Sequence, residues 1–259
     1  MQCTMHTITM NEFHQPFLLE CDSSQTAVLC VHGILGSPGE FREIAQALHQ
    51  QGLTVQAVCL PGHGGESRPF INNSISAWQT HVDMAATELL KKYQRVFLIG
   101  HSMGGLLGLR TAVHMPLTGV ITLNTPLRTR ITFGQLRLGL RILLTSAEHD
   151  DAMLRAYRDS FSTSPQPLWE VPLWLPRMMD VIRLGKMTEV ILGQVTAPVL
   201  IIQSKRDETV NPISARMLVK GLINADTRMI YLEKSVHAWF DAEEFAEILK
   251  QIFLAIKPI

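Results

Sequence analysis

The stretch Arg95-Val-Phe-Leu-Ile-Gly-His-Ser-Met-Gly104 decides how the chain is read. Its first half is a short apolar run of the kind that forms a strand buried on both faces. From Met103 to His114 the apolar residues recur at steps of three and four, the period of a helix. Between the two lies Gly100-His101-Ser102-Met103-Gly104, which has the G-x-S-x-G spacing of a nucleophile elbow. Turning from strand to helix within one residue strains the backbone at Ser102, and a side chain at either flanking glycine would collide with the neighbouring elements. The Ser102 hydroxyl is thereby lifted above the sheet at the positive end of the following helix.

Outward from this point the same alternation repeats. Ala27–Val31, Thr54–Leu60, Gly119–Leu123, Val199–Gln203 and Thr227–Leu232 read as further strands; Phe41–Gln50, Ser76–Tyr93, Pro212–Leu222 and Glu243–Ile256 read as helices. Alternating strands and helices predict an α/β fold, a mostly parallel sheet covered by helices on both faces. The alternation breaks over residues 126–192, where Arg, Leu, Met, Trp and Pro accumulate without a clean strand. That stretch is expected to be a small helical cap inserted between a first core segment, 1–125, and a second, 193–259. Arg137 and Arg141, four apart among leucines, would mark an amphipathic helix there, facing solvent or a lipid interface.

Composition narrows the class. The 259 residues carry 23 Lys and Arg against 23 Asp and Glu, so the formal net charge is zero and no basic footprint for nucleic acid exists. Hydrophobic residues make up 46% and charged residues 18%, enough to bury a sizeable core and too apolar for disorder. No Lys or Arg precedes Arg42, and no unbroken apolar stretch reaches the ~20 residues of a membrane span, so a cytoplasmic protein without stable membrane insertion is expected. Cys3, Cys21, Cys30 and Cys59 show no C-x-x-C spacing and read as neutral or structural thiols.

A serine at its free pKa is a poor nucleophile and needs a base that is itself oriented by a carboxylate. Among ten histidines, His237 follows the last strand and precedes the last helix, where a loop at the sheet's carboxyl edge reaches Ser102. His101 is expected to point away from the elbow's tip, and His32 and His63, in glycine-rich loops, to shape the site. Asp207 follows the strand ending near Gln203, with Glu208 as its competitor; the shorter side chain would hold the imidazole more rigidly. The order Ser102, Asp207, His237 matches the nucleophile–acid–histidine order of one hydrolase fold. Donors for the developing oxyanion are expected from the backbone amides of Met103, just after the nucleophile, and Ile34, in the loop Val31-His-Gly-Ile-Leu-Gly36.

Taken together, Val31-His-Gly-Ile-Leu-Gly36, Leu60-Pro-Gly-His-Gly64, Gly100-His-Ser-Met-Gly-Gly105, Asp207-Glu-Thr-Val210 and Ser235-Val-His237 resemble the α/β-hydrolase fold, and more narrowly the small bacterial carboxylesterases and monoacylglycerol lipases. The resemblance spans nearly the whole chain and is weakest across 126–192. It implies a Ser102–His237–Asp207 triad, oxyanion amides from Ile34 and Met103, a cap over an apolar acyl pocket, and neither cofactor nor metal. The single-glycine form of the oxyanion loop goes with short to medium acyl groups in that family. The chain departs from it at Val236, where the family carries glycine and a β-branch restricts the backbone.

His32, Gly33, His101 and Val210 are expected beside the substrate. Met153, Trp169, Trp174, Met178, Met179 and Met187 would line an acyl channel or fasten the cap to the core. The expected activity is hydrolysis of small-molecule carboxylic esters through an acyl-enzyme, by a monomer or homodimer. The same residues would also serve a thioesterase, a carbon–carbon bond hydrolase, a peptidase or an acyltransferase, and a hydrolase-fold binding module is the alternative outside catalysis.

Overall fold

A computed structural model of the chain describes residues 10–130, 161–164 and 167–256. Met153, Arg137, Arg141 and Cys3 lie outside the described residues. Seven strands form one sheet: β1 (Phe17–Leu19), β2 (Thr26–Val31), β3 (Thr54–Val58), β4 (Arg95–His101), β5 (Gly119–Leu123), β6 (Val199–Ser204) and β7 (Thr227–Leu232). They stand in the order β1-β3-β2-β4-β5-β6-β7, so β4, which carries the elbow, is central. Every pairing is parallel except the antiparallel edge pair β1 and β3. The expectation of a mostly parallel sheet is met; β1 went unread because three residues at an edge leave no period to recognise.

Because side chains alternate along a strand, β2 and β4 feed two cores at once. Ala27, Leu29, Val31, Val96 and Leu98 face one side, with α2 (Ile75–Lys92), α3 (Met103–His114), α4 (Leu175–Ile191) and α5 (Ile213–Gly221) supplying Trp78, Val82, Leu106, Leu107, Leu184 and Leu218. Val28, Cys30, Phe97 and Ile99 face the other side, against Phe41, Ile44, Leu48, Ile248 and Ile252 from around α1 (Arg42–Gln50) and α6 (Ala242–Ile256). The apolar steps of the helices are thus those of their buried faces. Burial also explains Cys30, whose thiol is pushed well up by loss of solvent.

Within the stretch expected as a cap, α4 buries Val181, Leu184, Gly185 and Thr188, and a methyl added at Gly185 would stand 2.8 Å from the carbonyl of Pro126. The 3₁₀ segment Leu168–Trp174 is tied to the one-turn helix Ser67–Ile71: Trp174 Nε1 donates to Ser67 Oγ at 2.5 Å and Arg68 Nε pairs with Glu170 at 2.8 Å. No helix among the described residues is long and apolar enough to cross a membrane.

Candidate active site

The elbow is strained as its sequence requires. Ser102 has φ 50° and ψ −119°, a backbone that side-chain-bearing residues rarely adopt and that costs about 1–3 kcal/mol. It survives because the surroundings over-determine it. A methyl on Gly104 would overlap the carbonyl of Val31, and one on Gly100 would overlap the Gly104 backbone, so only glycine fits at both positions. Ser102 N donates to Leu123 O at 2.8 Å, locking the turn to β5. The hydroxyl stands at the N-terminus of α3, where unpaired amides and the helix dipole favour negative charge.

Parallel strands bring the loops after β6 and β7 to the same edge. His237 Nε2 lies 3.1 Å from Ser102 Oγ and its Nδ1 2.9 Å from Asp207 Oδ2. Asp207 is fully buried, and its other oxygen accepts the amides of Thr209 at 2.8 Å and Val210 at 2.7 Å, which leaves Oδ2 aimed at the imidazole. A carboxylate facing Nδ1 places the ring hydrogen there and leaves the Nε2 lone pair toward the serine, the tautomer a base needs. Glu208, the competing acid, binds elsewhere: its Oε2 accepts the backbone N–H of His237 at 3.3 Å. Burial opposes charge on His237, but attraction to Asp207, reinforced by the Asp207 hydrogen bond and by Glu208 and Glu40, outweighs it and holds the imidazole's proton affinity above the ordinary histidine value.

On the other side of Ser102 lies the loop after β2. A methyl on Gly33 would stand 2.9 Å from Ser102 Cβ, so the missing side chain is what lets this backbone reach Ser102. His32, fully buried, accepts Leu60 N–H at Nε2 (2.9 Å), so its Nδ1 carries the hydrogen and donates to Gly33 O at 2.8 Å. The peptide unit is planar and trans, so fixing the Gly33 carbonyl also fixes the opposite direction of the Ile34 N–H. Burial, with the nearby His63, keeps His32 well below the usual histidine range, and burial lowers His63 to about 4. Both rings are therefore neutral at pH 7, and they pack edge to face at 4.9 Å. His32 ties the Gly33 carbonyl to the Leu60 amide, and His63 packs against it.

The loop's far end is held by a residue that sequence reading did not single out. Ser162 donates its N–H to Leu35 O at 2.9 Å and its Oγ to Gly36 O at 2.5 Å, while Gly64 N donates to Ser162 Oγ at 3.1 Å. Leu35 itself sits at φ 58°, strained for a side-chain-bearing residue.

Asn124 is a second unread residue. It follows β5 at φ 48°, is buried, and donates from Nδ2 to the carbonyls of Val236 (3.2 Å) and His237 (3.0 Å), while its Oδ1 accepts Ser204 N–H at 2.7 Å. Val236 shows no left-handed backbone, and its own N–H is taken by Trp239 O at 3.0 Å. The β-branch at the family's glycine position is thus accommodated without strain.

Of the remaining residues singled out from sequence, His101 is nearly buried beneath the His237 loop, and fully buried Val210 supports Asp207. Trp174 is buried edge-on to Phe70 at 5.7 Å, its indole N–H already used by Ser67. Trp169, Met178, Met179 and Met187 are exposed, and Arg68 lies over the Trp169 ring at 5.6 Å. Among the described residues no group of three or more His, Cys, Asp or Glu side chains is arranged to hold a metal ion.

Residues 22–244 match the family described as Serine aminopeptidase, S33. Over 230 residues the chain is 26% identical to the thermostable monoacylglycerol lipase of Bacillus sp. (strain H-257), covering 86% of both chains. Over 221 residues it is 23% identical to the carboxylesterase of Bacillus subtilis (strain 168), covering 82% of this chain and 84% of that one. The crystal structure of Paleococcus ferrophilus monoacylglycerol lipase superposes with a TM-score of 0.69 at 21% identity, over 93% of this chain and 98% of that one. This chain belongs to the Serine aminopeptidase, S33 family and has the α/β-hydrolase fold.

Proposed function

We propose that the protein is a serine carboxylester hydrolase acting on small esters of short to medium acids, with Ser102 as nucleophile, His237 as general base and acid, and Asp207 as the carboxylate that orients it. The observation that carries this reading is the continuous chain Asp207 Oδ2, His237 Nδ1, His237 Nε2, Ser102 Oγ, at 2.9 and 3.1 Å, standing on a strained elbow. Relatives that are monoacylglycerol lipases and carboxylesterases over more than four-fifths of the chain support the choice of esters.

In this reading His237 Nε2 takes the Ser102 proton as Oγ bonds to the ester carbonyl carbon. The carbonyl oxygen becomes negative and is held by the amides of Ile34 and Met103. His237 then returns the proton to the departing alcohol as the carbon–oxygen bond breaks, leaving an acyl-serine. Water, deprotonated by the same nitrogen, attacks the acyl carbon, and Ser102 leaves reprotonated with the free acid as product. Residues 126–192 act as the cap that bounds the acyl chain, and the enzyme works in the cytoplasm without cofactor or metal.

The test is hydrolysis of p-nitrophenyl esters from acetate to palmitate by wild type and Ser102→Ala. The expected outcome is an optimum at short to medium acyl length, and loss of activity to near background in the variant. A Ser102→Ala protein as active as wild type would overturn the reading. A panel containing thioesters and amino-acid amides separates ester hydrolysis from the other reactions that the same residues support.

A further inference from the structure

Behind the proposed triad, a second imidazole and carboxylate join the loops on either side of Ser102. His101 Nδ1 lies 2.6 Å from Glu40 Oε2, and its Nε2 lies 3.0 Å from the carbonyl oxygen of His237. The other carboxylate oxygen, Glu40 Oε1, accepts the N–H of Gly33 at 3.3 Å. Gly33 is the residue whose bare backbone rests on Ser102, and His237 is the residue that meets its hydroxyl. Glu40 and His101 therefore bridge the β2 loop to the His237 loop through the end of the nucleophile strand. The His101 and His237 rings lie 5.0 Å apart, and Asn124 Nδ2 donates to the same His237 carbonyl at 3.0 Å.

The hydrogens of this bridge can be counted. A backbone carbonyl only accepts, so His101 Nε2 carries a hydrogen. If Glu40 is ionised, Nδ1 must carry one too; if Nδ1 is bare, Glu40 must be protonated. Either way a hydrogen lies between Nδ1 and Oε2, shared by the imidazole and the carboxyl group. The charged and titratable groups around the pair are His237, with Asp207 and Glu208 beyond it, His32 on the β2 loop, and Arg42 and Glu43, which line a cavity of about 600 Å³ together with Glu40 and His101.

We propose that Glu40 and His101 are positioning residues for acyl transfer, a hydrogen-bonded clamp that fixes the separation of the Gly33 and His237 backbones across Ser102. The proposal rests on the reading of Ser102 and His237 as the reacting pair. Its chemistry is strict about the partner: glutamine at position 40 keeps a carbonyl for Gly33 N–H and offers its own N–H to a bare Nδ1, so neutral His101 retains the hydrogen on Nε2. Aspartate keeps the charge but is one methylene too short to reach both loops.

The experiment is steady-state kinetics of the full chain on p-nitrophenyl butyrate for wild type, Glu40→Ala, Glu40→Asp and Glu40→Gln, with Ser102→Ala as control and thermal unfolding alongside. Displacing an oriented backbone by a fraction of an ångström makes the expected loss in kcat about 10-fold or more for Ala and Asp, with KM within about 2-fold of wild type, and about 3-fold or less for Gln. An active Asp variant beside an inactive Gln variant would overturn the clamp in favour of a role for charge alone. Unchanged kcat throughout, or an effect confined to KM, would overturn it outright. If Glu40→Ala does not fold, the Asp and Gln pair decides the matter without it. Activity surviving in Ser102→Ala would instead mark failure of the acyl-transfer reading.

Discussion

The Ser102 elbow and the His237 loop meet at one hydrogen bond, yet they are held in place by opposite means. The elbow is fixed chiefly by exclusion: its glycines sit where a single methyl would overlap backbone, and the amides of Ser102 and Gly105 bond to Leu123 O and Ser102 O. The loop is fixed by attachment. His237 has its N–H on Glu208, its carbonyl on both His101 and Asn124, and Nδ1 on Asp207. In the proposed mechanism a strained nucleophile needs walls that cannot yield, whereas a base that takes up and releases a proton needs a ring free to hold one and a backbone that is not free to move.

If that contrast is right, breaking the elbow should destroy the fold and breaking the loop should spare it. The largest effect is expected for Gly104→Ala, where the clash falls on the Val31 carbonyl and the cost is about 3 kcal/mol or more. Thermal unfolding would show a strongly lowered Tm or insoluble protein, while Gly65→Ala, with nothing within 4 Å of the added methyl, should match wild type. Asp207→Asn should fold normally and lose about 10⁴-fold in kcat, because the amide no longer enforces the Nδ1–H tautomer. Equal Tm with collapsed turnover is the signature to look for, and a large loss of stability would argue against it.

The pH profile sharpens the loop's side of the comparison. His237 must be neutral to act as base and its proton affinity is raised, so activity should fall, as pH drops, through a value above the ordinary histidine range of ~6.5. Glu208 contributes to that rise, so Glu208→Gln should move the acidic limb of kcat/KM to lower pH. A limb that stays put or moves upward would contradict this assignment. The smallest expected effect is Ser162→Ala, which removes the hydroxyl bridging Gly36 and Gly64. A loss of about 1 kcal/mol in stability and a few-fold drop in kcat with KM unchanged would show that this strap steadies the oxyanion loop.

The same contrast explains what could be read from the sequence. The elbow's constraints are local, so its glycine spacing, and the strand and helix on either side, stand in one stretch of chain. Asp207 and His237 could be singled out because the loops after parallel strands share an edge; His237 Nδ1 stands on Asp207, while Glu208 meets the His237 N–H. The supports of the loop were not legible, because they act between residues 61 to 136 apart. In the sequence Glu40 is an acid just before a helix and Asn124 a turn former before Pro126, residue types that need no partner to be explained. Val236 looked restrictive only against glycine; the loop's backbone never enters the region where glycine is required.

The central claim, that Ser102 is the one activated oxygen, is tested most directly by treating the purified protein with a fluorophosphonate and locating the adduct by peptide mass mapping. The account predicts a single adduct on Ser102, absent from Ser102→Ala and strongly slowed in Asp207→Asn. Labelling of Ser102→Ala at the wild-type rate, or an adduct on a different residue, would contradict it.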